Sequence, residues 1–260
     1  MTGSYPTQSL LELDMSRLAD ADVVVLAGGM GTRLRSVLGE NVPKLLAPIG
    51  PRPYVEYLFD WLQGFGASRI ILSLGHLATA IKDYVEAHPR TGLTIDTIVE
   101  DEPLGTAGAL RLVRPHVRTQ TAFLMNGDSW IDADLNALMV THEKQAAPAT
   151  LLCVGVDDAG RYGRIERDES GYVTAFCEKE ENAVPGLINA GMYAVSEAGW
   201  QIISDLPGPS LERDVFAKAP AHSLYTFDAG QTAFIDIGTP DSLAIAADII
   251  GQRKAHGDST

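Results

Sequence analysis

The chain has 260 residues, 45% of them hydrophobic and 21% charged, with 20 Lys and Arg against 34 Asp and Glu. A formal charge of −14 argues against a nucleic-acid backbone or an anionic membrane as the main partner, while leaving room for a local basic pocket that takes phosphate. With a mean hydropathy of +0.02 and no run of about 18 apolar residues, the composition is that of a globular chain without a membrane span, and a cytoplasmic location is the expectation.

Residues 1–20 carry no strong hydrophobic period and are expected to form a tail. The first compelling segment is 23–27, Val-Val-Val-Leu-Ala, a β-branched run of the kind buried on both faces of a sheet. Amphipathic helices are predicted over 54–65, with Val55, Leu58, Phe59 and Leu62 on one face, and over 77–87, with Leu77, Ile81, Tyr84 and Val85 on one face. Further strands are predicted over 69–74, 94–99, 122–125 and 150–154. Strands alternating with helices imply an α/β chain with a mostly parallel sheet covered on both sides. Beyond residue 160 the strands shorten, at 172–176, 188–194, 224–227 and 233–237, which predicts a mixed, partly antiparallel extension. Thr239 as N-cap, Pro240 at the first helical position and Asp241 in the first turn open a closing helix over 239–250. The polar residues 251–260 are expected to fray as a C-terminal tail, leaving one domain over 21–250. Cys153 and Cys177 belong to no CxxC pair or Cys/His cluster, so neither disulfide nor structural zinc is expected and both read as buried core thiols.

The chemistry concentrates after the first strand, where Gly28-Gly29-Met30-Gly31-Thr32-Arg33-Leu34 makes a glycine-rich turn at the carboxyl end of a parallel strand. Backbone amides approach phosphate closely at such a turn. The dinucleotide fingerprint requires a third glycine where Leu34 stands, and the Gly-Lys-Ser/Thr of a P-loop is absent. Arg33 in the loop and Lys44 after Pro43 instead place two cations beside free amides, which suits a triphosphate; taken singly, each reads as a solvated surface charge. Asp128 follows the 122–125 strand through Asn126-Gly127 and should emerge at the same sheet edge. Asp236 also ends an apolar strand. The two carboxylates facing one another across a cleft would suit Mg²⁺ on a phosphate substrate, against the plainer readings of a turn aspartate and a cap. Glu178-Lys179 reads from its own residues as a solvated pair.

The run Leu-Ala-Gly-Gly-Met-Gly-Thr-Arg-Leu over 26–34 with Pro43-Lys44 resembles the signature of the sugar-1-phosphate nucleotidyltransferases. The resemblance continues in order through Glu-Pro-Leu-Gly-Thr-Ala-Gly at 102–108, Asn126-Gly127-Asp128, Tyr162-Gly163-Arg164-Ile165, Phe176-Cys177-Glu178-Lys179, Ile188-Asn189-Ala190-Gly191 and Asp236-Ile237-Gly238-Thr239-Pro240. Among subfamilies the chain resembles most the D-glycero-D-manno-heptose 1-phosphate guanylyltransferases, with mannose-1-phosphate guanylyltransferases next.

What the resemblance implies is a Rossmann-like fold with a nucleotide-binding half over 21–150 and a sugar-phosphate-binding half over 151–250. It implies a nucleotide held by Leu26, Ala27, Gly28, Gly29, Gly31 and Thr32, with Arg33 on the β and γ phosphates and Lys44 keeping phosphates and attacking group in line. Pro103, Gly105 and Thr106 complete that side. It implies sugar-phosphate contacts from Gly127, Gly163, Glu178, Lys179 and Asn189, with Glu178 on sugar hydroxyls and Lys179 on the phosphate. Asp128 and Asp236 are implied as Mg²⁺ ligands and, with Arg33, Lys44 and Lys179, as the catalytic set. No histidine falls in a matched motif, so acid/base catalysis by histidine is not expected.

The base is read from 100–107. Thymine- and uracil-using relatives tend to carry a glutamine there, and this chain has none. Glu100 and Glu102 offer carboxylates that accept from the adjacent ring N–H and amine of guanine, which points to GTP, although an acidic cap on the following helix is also available. The expected reaction joins GTP to a sugar 1-phosphate and releases pyrophosphate; another hexose or cyclitol phosphate, or a non-catalytic nucleotide-sugar sensor, are the alternatives. Homo-oligomerisation is left open.

Overall fold

The computed structural model describes residues 17–159, 164–177 and 184–257. A 3₁₀ turn leads into β1 (Asp22–Ala27), and the glycine loop runs from it to the one-turn α1 (Arg35–Leu38). A small hairpin, β2 (Pro48–Ile49) and β3 (Arg52–Pro53), precedes α2 (Tyr54–Gly64). Next come β4 (Arg69–Leu74), α3 (Ala78–Ala87), β5 (Thr94–Val99), α4 (Gly105–Val113) and β6 (Ala122–Asn126). After them lie β7 (Ser129–Ile131), α5 (Leu135–Gln145), β8 (Ala149–Val156), β9 (Ile165–Arg167), β10 (Val173–Phe176) and β11 (Gly186–Val195). The chain closes through α6 (Glu197–Asp205), β12 (Leu224–Asp228), β13 (Phe234–Asp236) and α7 (Pro240–Gly257).

Seven strands form one sheet in the order β12-β8-β11-β6-β1-β4-β5. The pairs β6/β1, β1/β4, β4/β5 and β12/β8 are parallel, whereas β11 runs antiparallel to both β6 and β8. The mostly parallel sheet is therefore as expected, and its antiparallel component is one strand inserted into the main sheet. Successive β1 residues feed opposite faces: Val23 and Val25 pack with α2, α5 and α7, while Val24 packs with α4 and α6. A strand covered on both sides has no solvated face for polar residues, which is why 23–27 reads as an unbroken apolar run.

The strands over 69–74 and 94–99 match expectation residue for residue. The closing helix has the predicted cap, with Ser242 N–H donating to Thr239 Oγ1 at 3.2 Å and the Ser242 hydroxyl accepting from Thr239 N–H at 3.1 Å. It continues past residue 250 to Gly257, so the polar composition of the tail did not end it. Cys153 is buried as expected, but Cys177 is only half-buried, with Arg164 Nη2 at 3.9 Å from its sulfur. Helices α5 and α6 and the short strand β7 were not predicted. Among the described residues no helix is long and apolar enough to cross a membrane.

Candidate active site

Strands β1, β4, β5 and β6 all end at the same edge of the sheet, and their first loop residues meet there. Gly127 N–H donates to the Leu26 carbonyl at 2.8 Å, and Glu100 N–H to the Leu74 carbonyl at 2.9 Å. A Cβ at Gly127 would sit 2.8 Å from that Leu26 oxygen, so the close approach of the two backbones requires glycine. At Gly28 a Cβ would run into Glu100 Oε1, which is how the glycine loop lies against the start of the 100–107 segment. The resulting cavity, about 420 Å³, is lined by the loop from Leu26 to Gly31, by Glu100, Pro103, Gly105 and Thr106, and by Lys44, Asp128 and Asp236.

Two local devices aim the charged groups. Pro43 opens a 3₁₀ turn over Lys44–Leu46, in which buried Leu45 anchors the segment and leaves Lys44 pointing into the cavity. Strands β7 and β13 form a separate antiparallel ribbon with Ser129 opposite Asp236, and Ile237 N–H donates to the Asp128 carbonyl at 2.9 Å. That ribbon brings together two aspartates 108 positions apart in the chain. Lys44 Nζ lies 2.5 Å from Asp128 Oδ2 and 4.0 Å from Asp236 Oδ1.

One carboxylate oxygen at this point has no hydrogen-bond partner. It is Asp236 Oδ1, which is shielded from solvent. Burial, and then repulsion from Asp128, raise the Asp236 carboxyl above the usual aspartate range; Lys44, Arg33 and the Gly238 N–H pull the other way without overcoming them. A buried carboxylate oxygen with no donor, beside a second carboxylate, fits a hard cation. Among the described residues no cluster of three or more His, Cys, Asp or Glu suits a metal. Two carboxylates with phosphate and water oxygens therefore fit Mg²⁺ better than an all-protein cage would.

The sequence-predicted residues divide into three groups. Leu26, Ala27, Gly28, Gly29, Gly31, Lys44, Glu100, Pro103, Gly105, Thr106, Gly127, Asp128 and Asp236 line the one cavity. Thr32, Arg33 and Glu102 are exposed and lie outside its wall; Arg33 nevertheless points to the same end, since a Cβ on Gly238 would come within 3.2 Å of its Nη2. Asn189 is not in the wall either. Its amide donates to the Tyr193 hydroxyl at 2.7 Å and its oxygen accepts from Gly191 N–H at 2.9 Å. Gly163, Glu178 and Lys179 fall outside the described residues.

Glu100 has one oxygen already engaged, with Oε2 accepting from Leu104 N–H at 3.2 Å. It thus accepts from the turn into α4 and also lines the cavity. Sequence reasoning missed Met30, Leu45, Ile81, Ala109, Asn126 and Ser129 as lining residues. Asn126 and Ser129 flank Asp128, so the strand-end motif itself carried a signal for them; the approach of Ile81 from α3 had none.

Against known proteins, the nucleotidyl transferase family model matches residues 22–253. A D-glycero-alpha-D-manno-heptose 1-phosphate guanylyltransferase of Campylobacter jejuni is 32% identical over 221 residues, covering 84% of this chain and 95% of that protein. A mannose-1-phosphate guanylyltransferase of Mycobacterium tuberculosis is 33% identical over 236 residues, covering 88% of this chain but 64% of that longer protein. The crystal structure of HddC from Yersinia pseudotuberculosis complexed with GMP-PN superposes with a TM-score of 0.76 at 34% identity, covering 88% of this chain and 98% of that one. The chain belongs to the nucleotidyl transferase family.

Proposed function

We propose that the protein is a sugar-1-phosphate guanylyltransferase that joins GTP to D-glycero-D-manno-heptose 1-phosphate. The observation that carries this reading is the convergence of the glycine loop, Lys44 and the Asp128/Asp236 pair, with its one unbonded carboxylate oxygen, in one cavity at the carboxyl end of the sheet. The guanine and heptose assignments are supported by the relatives named above and by the absence of glutamine from 100–107.

In this reading an anionic oxygen of the sugar phosphate attacks the α phosphorus of GTP. A new P–O bond forms, the bond from the α phosphorus to the bridging oxygen breaks, and pyrophosphate leaves. The nucleophile is already ionised at neutral pH, so the protein has only to position it and neutralise charge. The free amides of the glycine loop and the cations Lys44 and Arg33 do this for the triphosphate. Glu100 accepts from guanine with the oxygen that Leu104 leaves free. Lys179, Glu178, Asn189, Gly163 and Gly127 serve the sugar phosphate, which divides the domain into a nucleotide half over 21–150 and a sugar half over 151–250. Asp128 and Asp236 would hold Mg²⁺, which when bound offsets phosphate charge. A cytoplasmic location belongs to the same proposal.

Mannose 1-phosphate is the second acceptor to consider, because a mannose-1-phosphate guanylyltransferase matches at the same level of identity. Pyrophosphate release from a panel of sugar 1-phosphates crossed with four triphosphates tests all of this. We expect heptose phosphate to be the best acceptor and kcat/KM for GTP to exceed that for UTP, dTTP and ATP by at least about tenfold. Equal use of another triphosphate would overturn the guanine assignment, and a better mannose acceptor would replace heptose. Binding without pyrophosphate release would favour a sensor.

A further inference from the structure

Beneath the paired carboxylates lies a group for which the catalytic reading has no use. Tyr54 is the first residue of α2 and is wholly buried, yet its hydroxyl is not idle: it donates to the Ser129 carbonyl at 3.0 Å. The position of that carbonyl explains why this matters. In the β7/β13 ribbon Ile237 N–H bonds to the Asp128 carbonyl, so the next pair, Ser129 with Asp236, is a non-hydrogen-bonded pair in which both backbones turn their polar groups away from each other. The Ser129 carbonyl therefore faces away from β13, and the Tyr54 hydroxyl is the partner it has there. In a non-hydrogen-bonded pair the side chains also stand closest, so this register holds the Ser129 and Asp236 side chains side by side. The Ser129 hydroxyl in turn donates to Asp128 Oδ1 at 3.4 Å, while Lys44 takes Oδ2.

We propose that Tyr54 is a positioning residue for the Asp128/Asp236 cation site, holding the β7 backbone in the register that sets the two carboxylates against one another. Burial, and then the negative charges of Asp128 and Asp236, keep its phenol protonated far above the ordinary tyrosine range, so the donor persists at every working pH. The bond ties the start of a long core helix to a strand of three residues. The buried Trp130 and Ile131 side chains and the β13 ladder anchor that strand, and the Tyr54 hydroxyl holds its backbone at Ser129.

The same helix supplies a control. Tyr57, one turn later, donates its hydroxyl to the Ile49 carbonyl at 2.9 Å in the β2/β3 hairpin and has no part in the ribbon. Tyr54→Phe and Tyr57→Phe each delete one phenol-to-carbonyl bond without changing ring shape, the first buried and the second part-buried, so a merely structural role predicts a loss of stability in both and a change in metal affinity in neither. The proposal rests on the metal reading of the site, and the test keeps the two apart.

Mn²⁺ is titrated by electron paramagnetic resonance into full-length protein saturated with GTP and lacking any sugar phosphate, with a GTP-only blank. The half-saturating Mg²⁺ for pyrophosphate release is measured in parallel. We expect Y54F to weaken protein-held Mn²⁺ by at least about threefold and to raise half-saturating Mg²⁺ by the same factor, with Y57F matching wild type in both. The melting temperatures of both variants should fall, that of Y54F by the larger amount because its bond is the more buried. Equal metal affinities in Y54F and wild type, or equal losses in Y54F and Y57F, would reduce Tyr54 to a structural residue. Wild-type protein that holds no Mn²⁺ beyond the blank would overturn the metal reading, and this proposal with it.

Discussion

The two ends of the parallel sheet both gather aspartates around a cation and treat them in opposite ways. At the amino end, Arg69 of β4 reaches Asp22 at 2.7 Å and Asp96 at 2.5 Å and donates to the His116 carbonyl at 3.1 Å. Asp22 is further satisfied by Arg118 N–H at 2.6 Å. Two carboxylates there share one guanidinium, which gives Nε and Nη2 to Asp96 Oδ2 and lies with Nη1 against Asp22. At the carboxyl end, Asp128 and Asp236 share one lysine, and an oxygen of Asp236 has no hydrogen bond at all. Both clusters set two carboxylates against one close cation; the amino-end cluster locks three strands together, whereas the carboxyl-end one leaves a shielded carboxylate oxygen open to a cation from outside. The chemistry of the residues is similar at both ends, and the difference lies in what has been left unsatisfied.

The comparison breaks most visibly through substitutions at the carboxyl end. D128N and D236N should each lower kcat/KM by about 100- to 1,000-fold, because the missing charge leaves phosphate oxygens and metal without their counterpart. The melting temperature should move by no more than about 4 °C in either variant. Pyrophosphate release and thermal unfolding on the same samples check both halves of that statement.

The amino end should respond the other way. R69M removes the charge that Asp22 and Asp96 share and leaves a buried carboxylate uncompensated, a change that typically costs about 3 kcal/mol. Urea unfolding should show that loss, while kcat at 25 °C stays within about twofold of wild type, since the cluster is remote from the cavity. A large fall in kcat at full folding would mean that the two ends are coupled.

Two smaller effects follow from the raised Asp236 carboxyl. Its proton leaves at a higher pH than that of an ordinary aspartate, so kcat/KM should decline on the acid side at higher pH than an unperturbed carboxyl predicts. D236E, with its carboxylate shifted, should move that limb. For stability the sign is reversed. A carboxyl whose folded value is raised binds its proton more tightly in the folded state, so it favours the fold below its unfolded value and loses that contribution as pH rises through the folded one. D236N should therefore be stabilised relative to wild type near pH 8, by no more than about 1 kcal/mol for a partly solvated group, with the gain vanishing as pH falls. Melting curves at two pH values measure it.

Much of this architecture was legible because both faces of the sheet are buried. Strand β4 could be bounded to the residue from its apolar run, the half-exposed edge strand β5 from its β-branched residues, and the cap of α7 from Thr239-Pro240. The individual ingredients of the site were legible too, since Lys44, Asp128 and Asp236 each follow a recognisable turn or strand end. Their meeting in one cleft was expected as well, but the pairing that brings it about was not. The meeting depends on β7, three residues long, pairing with β13 from the far end of the chain, and a strand that short has no period to detect. Helix α5 did carry a signal: Asp134 caps it by accepting from Asn136 and Ala137 N–H, and Leu135, Leu138, Met139 and His142 are its buried face. The polar residues between them kept its apolar face narrow. Arg33 shows the opposite limit, since its place in the motif says where the backbone goes but not that its side chain stays exposed outside the cavity wall.

The central claim is that the open carboxyl end takes a cation together with the triphosphate and uses both for nucleotidyl transfer. The most direct test is continuous pyrophosphate release by the wild-type protein from GTP and D-glycero-D-manno-heptose 1-phosphate, run with Mg²⁺ and again with excess chelator. The account predicts release only when both substrates and Mg²⁺ are present, abolished by chelator and restored by added Mg²⁺. Full turnover in chelator, or no release from the complete mixture, would contradict it.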